Sequence, residues 1–186
     1  MTQPKIILLT GLADAGKSTA GEYLRRAHDF YIIKFANGIK NCMYSLGLTE
    51  EEVEGALKEV PCDKLMGKTP RYAMQTLGTE WGRGFMGMDF WVHAAVREVR
   101  EFQDCFSDPI NVVFDDCRFP NEIDLMKEAF EDVTVIHLVP AYEGYQPIKE
   151  SEHESENQTL DWDIAIENRD ISQLEGDIDA YLSGDL

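Results

Sequence analysis

The chain has 186 residues, 44% hydrophobic and 28% charged, which places it in the globular range and lets it bury a core as one domain. Its formal charge of -18 excludes general nucleic-acid binding, because grip on a polyphosphate backbone needs clustered cations, but it leaves room for one small phosphorylated ligand. Cys42, Cys62, Cys105 and Cys117 form no C-x-x-C pair, and no signal peptide or membrane-length apolar run is visible, so the expectation is a cytoplasmic chain with reduced thiols and no membrane partner.

Lys5–Thr10 reads as a short buried strand, and Gly11–Ser18 after it matches G-x-x-x-x-G-K-[ST]. That phosphate loop needs its residue types. Gly11 and Gly16 allow positive φ, so that successive N–H groups of Ala13, Asp14 and Ala15 line one concavity. A helix starting near Lys17 turns its positive end toward the same anion. Lys17 then reaches the outer phosphates, while Ser18, next to Thr19, offers a hydroxyl to Mg²⁺. The loop therefore predicts a nucleoside triphosphate, ATP, as ligand.

Further along, the patterns predict a helix from Ser18 to about His28, a strand over Phe30–Phe35 and a helix over Ile39–Leu46. Thr49 and Glu52 form a capping box that should open a helix running to about Glu59. Thr69-Pro70 should start another helix, ending near Gly78, with Gly82, Gly84 and Gly87 leaving an irregular segment behind it. Then come a helix over 89–103, strand 110–114, helix 120–130, strand 133–139, a polar acidic stretch at 141–160, strand 163–166 and a last helix capped by Ser172.

Strands alternating with helices predict a three-layer α/β/α fold around a five-stranded, mainly parallel sheet, with ligands beyond the carboxyl ends of the strands. Gly11–Ser18, Phe35–Lys40, Asp115–Arg118 and the 141–160 stretch should share that rim. Val112-Val113-Phe114 running into Asp115-Asp116 has the form of a strand-end carboxylate for Mg²⁺, with either acid able to serve. Arg118 would clamp an oxyanion beside it. Arg71 and Arg83 flank Gln75 and Trp81, a set that suits a second phosphate and a nucleobase.

Four segments, Phe35–Lys40, Thr69–Arg83, Asp115–Glu122 and His153–Glu156, resemble the deoxynucleoside monophosphate kinases of tailed bacteriophages, in order and over most of the chain. The resemblance implies an adenylate-kinase-like P-loop fold and transfer of the ATP γ-phosphate to a 5′-dNMP with Mg²⁺, in the host-cell cytoplasm for a phage-encoded chain. It implies one kinase domain, with an acceptor-binding insertion at about 36–88 and a lid at about 141–160. Lys17 and Arg118 become the catalytic cations, and Asp115 with Ser18 the metal ligands. The acceptor falls among Asp14, Phe35, Lys40, Arg71, Gln75, Trp81, Arg83, Asp116 and Arg118. A homodimer is the base-rate expectation.

Two departures stand out. Residues 141–160 carry only Lys149 as a cation, where lids of such kinases usually deliver arginines. Asp14 puts a carboxylate inside the phosphate loop, where the expectation is that it turns to the acceptor sugar's 3′-hydroxyl. His153, Glu154 and Glu156 read as lid or hinge structure rather than as a metal site. The rival readings are another small-molecule kinase of this fold, acting on dephospho-coenzyme A or shikimate, and an ATP-binding switch with no acceptor.

Overall fold

The computed structural model describes residues 3–145 and 160–186, so most of the predicted lid and the His153–Glu156 cluster lie outside the described residues. The chain divides into two compact units, one of residues 1–34 and 98–186, the other of residues 35–97.

The first unit is built on a parallel sheet of five strands: β1 (Lys5–Thr10), β2 (Phe30–Ile32), β3 (Asn111–Phe114), β4 (Asp132–Pro140) and β5 (Ile164–Asn168), in the spatial order β2-β3-β1-β4-β5. β1 is central because Ile6–Leu9 is apolar on both faces, and all four residues are fully buried. α1 (Lys17–His28) carries the chain from β1 to β2, while α6 (Pro120–Ala129) carries it from β3 to β4 in the opposite direction across the sheet. Right-handed crossovers running in opposite directions put those helices on opposite faces, which makes the three layers. Ile7, Leu9, Val113, Ile136, Leu138 and Ile166 pack on Ala20 and Leu24 of α1 and on Leu174 and Ile178 of α7 (Ile171–Ser183). Ile123 and Met126 are buried under α6, which packs on β4.

Several boundaries differ from the sequence expectation, each for a local reason. β2 stops at Ile32; one further ladder bond joins Ile33 N–H to Val113 O, and Lys34 then turns to a carboxylate. β5 begins only at Ile164, because the Asp163 carboxylate accepts from Val135 N–H and from Lys127. α7 is capped by Asp170, not Ser172: Asp170 Oδ1 accepts from Gln173 N–H at 2.9 Å.

In the second unit the elements are α2 (Asn37–Ser45), α3 (Glu50–Val53), α4 (Pro70–Gln75) and the first part of α5 (Phe90–Gln103). The capping box forms as expected, with Thr49 N–H donating to Glu52 and Glu52 N–H to Thr49. Yet α3 ends at Val53, since Glu51 folds over Gly55 and accepts from Ala56 N–H, restarting the chain as a 3₁₀ turn over Ala56–Glu59. α4 does not give way to an irregular segment. It continues as a π-helix over Thr76–Met86, and Gly87 at φ 132° ends it. Trp91 accounts for the wider turns. Its indole N–H donates to Gly78 O at 2.9 Å, and a Cβ on Gly82 would fall 2.0 Å from the indole nitrogen. Gly38 leaves room for the same ring on another side.

Candidate active site

The phosphate loop joins β1 to α1, and its backbone takes the conformations that its sequence predicts. Gly11 lies at φ 133° and Gly16, the N-cap of α1, at φ 98°; Asp14 is left-handed as well, at φ 60°. Space is as limiting as torsion. A Cβ on Gly11 would meet Leu138 O at 2.5 Å, and one on Gly16 would meet the Asn168 amide nitrogen at 2.4 Å. Ala15 is fully buried, while Leu12, Asp14, Ser18 and Thr19 are exposed and Ala13 is intermediate. Lys17 Nζ donates to Gly11 O and to Leu12 O, both at 2.7 Å, so its ammonium lies against the loop it is expected to serve.

Asp115 ends β3 beside that loop. Its carboxylate is buried, and Lys34 Nζ donates to Oδ2 at 2.9 Å; Oδ1, also 2.9 Å from the ammonium, has no hydrogen-bond partner among the described residues. The Asp115 side chain lies close enough to α1 that a Cβ on Gly21 would touch it at 3.4 Å. Beyond it the chain alternates. Asp116 is intermediate, Cys117 buried and Arg118 exposed. Glu122, itself buried, fixes this turn by accepting from Arg118 N–H at 2.6 Å and Phe119 N–H at 3.0 Å. Burial pushes the Cys117 thiol well above its ordinary range, with Glu122 and Asp116 adding to the shift and Lys17 opposing it. His137 on β4 is held below its ordinary value by burial and then by Lys17. The ammonium is thus near enough to act on both segments. Thr10 bonds the His137 ring at 3.0 Å, and Trp162 stacks on its face.

Tyr142, in the segment leaving β4, donates its hydroxyl to Asp14 O at 3.1 Å, and Asn168 at the end of β5 donates to Ala15 O at 3.0 Å. The first unit therefore brings together the phosphate loop, Asp115–Arg118 and the start of the 141–160 stretch. Lys34, Glu122, Tyr142 and Asn168 were not singled out from sequence; each reaches its partner only through the fold.

Of the expected acceptor residues, Asp14, Asp116 and Arg118 belong to the first unit, and Phe35, Lys40, Arg71, Gln75, Trp81 and Arg83 to the second. Phe35 is buried, and Lys40, nearly buried, pairs with Glu54 at 2.5 Å. Arg71 and Gln75 lie on α4, with Arg71 paired to Glu59; Trp81 and Arg83 follow on the π-helix, with Trp81 edge-on to Phe90. Lys58 joins this group: its pKa is lowered by partial burial and by nearby Arg71, with Lys40 adding a smaller push. Three cations are thus gathered in a strongly acidic chain.

No protein-family model matches the chain. A protein of Acanthamoeba polyphaga mimivirus, provisionally named a deoxynucleotide monophosphate kinase, is 31% identical over 134 residues, 66% of this chain and 68% of that one. Among solved structures, Thermus thermophilus TT1252 is 17% identical with a TM-score of 0.51, covering 98% of each chain. The Mycobacterium tuberculosis APS kinase CysC, in complex with AMPPNP and APS, is 12% identical with a TM-score of 0.50, covering 98% of this chain and 99% of its own. At such identities the structures show the shared fold, and the viral relative shows the kinship. The chain belongs to the family of that mimiviral protein, the deoxynucleotide monophosphate kinase family of P-loop kinases.

Proposed function

We propose that this kinase transfers the γ-phosphoryl group of ATP to a deoxynucleoside 5′-monophosphate, giving a deoxynucleoside diphosphate and ADP. The observation that carries the acceptor class is the viral relative, which matches this chain over 134 residues and bears that activity in its name. Lys40, Lys58 and Arg71 of the 35–97 unit support it: Lys40 and Arg71 are paired with Glu54 and Glu59, and a dianionic phosphate would take the place of those carboxylates.

On this reading an oxygen of the acceptor phosphate attacks the γ-phosphorus, the bond to the β,γ-bridging oxygen breaks, and ADP carries away the negative charge. No general base is required, because the attacking phosphate is already anionic. Lys17 would leave the loop carbonyls for the outer phosphates, and Arg118 would neutralise charge on the group in flight. Asp14 would take the acceptor's 3′-hydroxyl. Within the second unit, Lys40, Arg71 and Arg83 would hold the acceptor phosphate, and Phe35, Gln75 and Trp81 would hold the base.

Ser18 and Asp115 would hold Mg²⁺, which supplies charge neutralisation on the donor phosphates. The buried Asp115 Oδ1 has no hydrogen-bond partner among the described residues but lies 2.9 Å from the Lys34 ammonium, so Mg²⁺ or its water would meet Oδ1 by displacing that cation. The test separates donor from acceptor. Arg71→Met should raise the KM for dNMP about tenfold or more while leaving the KM for ATP within twofold. An unchanged dNMP KM would remove Arg71 from the acceptor site.

A further inference from the structure

The phosphate loop is held from outside by a closed circuit of hydrogen bonds that the phosphate-loop pattern does not contain. Asn168 Nδ2 donates to Ala15 O at 3.0 Å, and this amide is buried. The backbone carbonyl of the same Asn168 accepts from Ala141 N–H at 2.8 Å. The next residue, Tyr142, closes the circuit by donating its hydroxyl to Asp14 O at 3.1 Å. Two consecutive loop carbonyls, those of Asp14 and Ala15, are therefore each drawn outward by a side chain from a different strand end.

Planarity gives those contacts a consequence. In a trans peptide the N–H points opposite to the C=O, so fixing Ala15 O outward fixes Gly16 N–H inward, and fixing Asp14 O sets Ala15 N–H. The Ala15 N–H closes a turn onto Leu12 O at 3.2 Å, which shapes the loop; the Gly16 N–H, opposite a carbonyl bound to Asn168, is the one left for an anion. Of the two, the Ala15–Gly16 peptide is the freer to flip. A flip rotates ψ of one residue and φ of the next, and Gly16, at φ 98°, carries little steric barrier to it. Asp14 at φ 60° is already in a sparsely populated region. The loop's own sequence supplies flexibility here, and its neighbours supply the constraint.

We propose that Asn168 and Tyr142 are positioning residues for the donor phosphates: Tyr142 holds the Asp14–Ala15 peptide in the turn onto Leu12 that shapes the loop, and Asn168 holds the Ala15–Gly16 peptide in the anion-accepting orientation. Asn168 holds Ala15, a residue assigned to the donor alone, so its effect falls on the donor; Tyr142 holds Asp14, so its effect reaches the donor through the loop backbone. This inference rests on the reading of Gly11–Thr19 as the ATP phosphate site, and the test tells the two apart.

The full-length chain and its Tyr142→Phe, Asn168→Leu and double variants are compared by calorimetric titration with AMPPNP, by thermal melting, and by KM for ATP and for dNMP. Phenylalanine removes one hydroxyl, and leucine keeps roughly the volume of asparagine while removing the donor. One lost hydrogen bond to an ordered peptide predicts about a five- to tenfold weaker AMPPNP affinity for each single variant. In Asn168→Leu the dNMP KM should stay within twofold. The double variant should lose less than the product of the single losses, because either substitution opens the same circuit. AMPPNP affinity within twofold of wild type in Tyr142→Phe would overturn the inference, and so would equal rises in both KM values in Asn168→Leu. If Asn168→Leu fails to fold, Tyr142→Phe decides alone. A wild-type chain that bound no AMPPNP would overturn the phosphate-site reading, and this inference with it.

Discussion

Lys34 Nζ sits 2.9 Å from the carboxylate of Asp115, where that side chain is 3% exposed at the end of β3. Removing the cation would strand a buried negative charge, the costly half of breaking such a pair. Lys34→Met should destabilise the protein by about 2–3 kcal/mol, somewhat below the range for a fully dry pair because Lys34 keeps some contact with water. For a chain of this size that lowers Tm by roughly 5–10 °C. A Tm unchanged by Lys34→Met would show that Asp115 finds its compensation elsewhere.

Lys17 donates to the loop carbonyls of Gly11 and Leu12, and its ammonium should move to the donor's outer phosphates in the working complex. Lys17→Ala should lower kcat on the order of 10²–10³-fold, the usual loss when one charge-stabilising donor is removed. Its Tm should shift by no more than a few degrees. Steady-state kinetics beside a melting curve checks both halves; near-normal kcat would remove Lys17 from the reaction.

Gly82 tests the π-helix. A methyl group there would fall 2.0 Å from the Trp91 indole nitrogen, so either the ring or the helix must shift. Gly82→Ala should disturb the Trp91–Gly78 bond and with it the turns that carry Trp81 and Arg83. The expected result is at least a tenfold loss in kcat/KM for the acceptor, an altered Trp fluorescence spectrum and little change in AMPPNP affinity. An active variant with an unchanged spectrum would show that the ring is not locked.

Glu52 gives a pH dependence. Its ion pair with Lys64 and its bond from Thr49 N–H hold the carboxyl down to about 2 from an ordinary 4.5. A carboxyl lowered in the folded state stabilises fully above its unfolded pKa and loses that contribution as pH falls through the folded one. The Tm difference between wild type and Glu52→Gln should therefore be constant from pH 7 to about 5 and shrink between about 4.5 and 2. A difference that grew on acidification would contradict the assignment.

What the sequence made legible was local. The loop glycines, the Thr49–Glu52 box and the buried β1 strand each depend on residues a few positions apart, and each appears where the pattern places it. The last helix was a near miss: Asp170 and Ser172 are both good N-caps, and only the exit of β5 decides between them. The long-range partners were not readable. Asn168 meets Ala15 across 153 positions and Lys34 meets Asp115 across 81, distances at which no spacing rule operates. The π-helix was hidden for the same reason. Gly78, Gly82 and Gly84 look like breakers until Trp91 is seen filling the space that Gly82 leaves and Ile39 the space that Gly78 leaves.

The central claim is a reaction with two phosphorylated partners, so the most direct measurement is ADP release across the common dNMPs, NMPs and modified dNMPs. The expected result is release that accelerates at least a hundredfold on adding one or more 5′-dNMPs, with the matching dNDP formed mole for mole. ADP release indifferent to every nucleotide, or driven only by an acceptor that is not a nucleoside monophosphate, would contradict it.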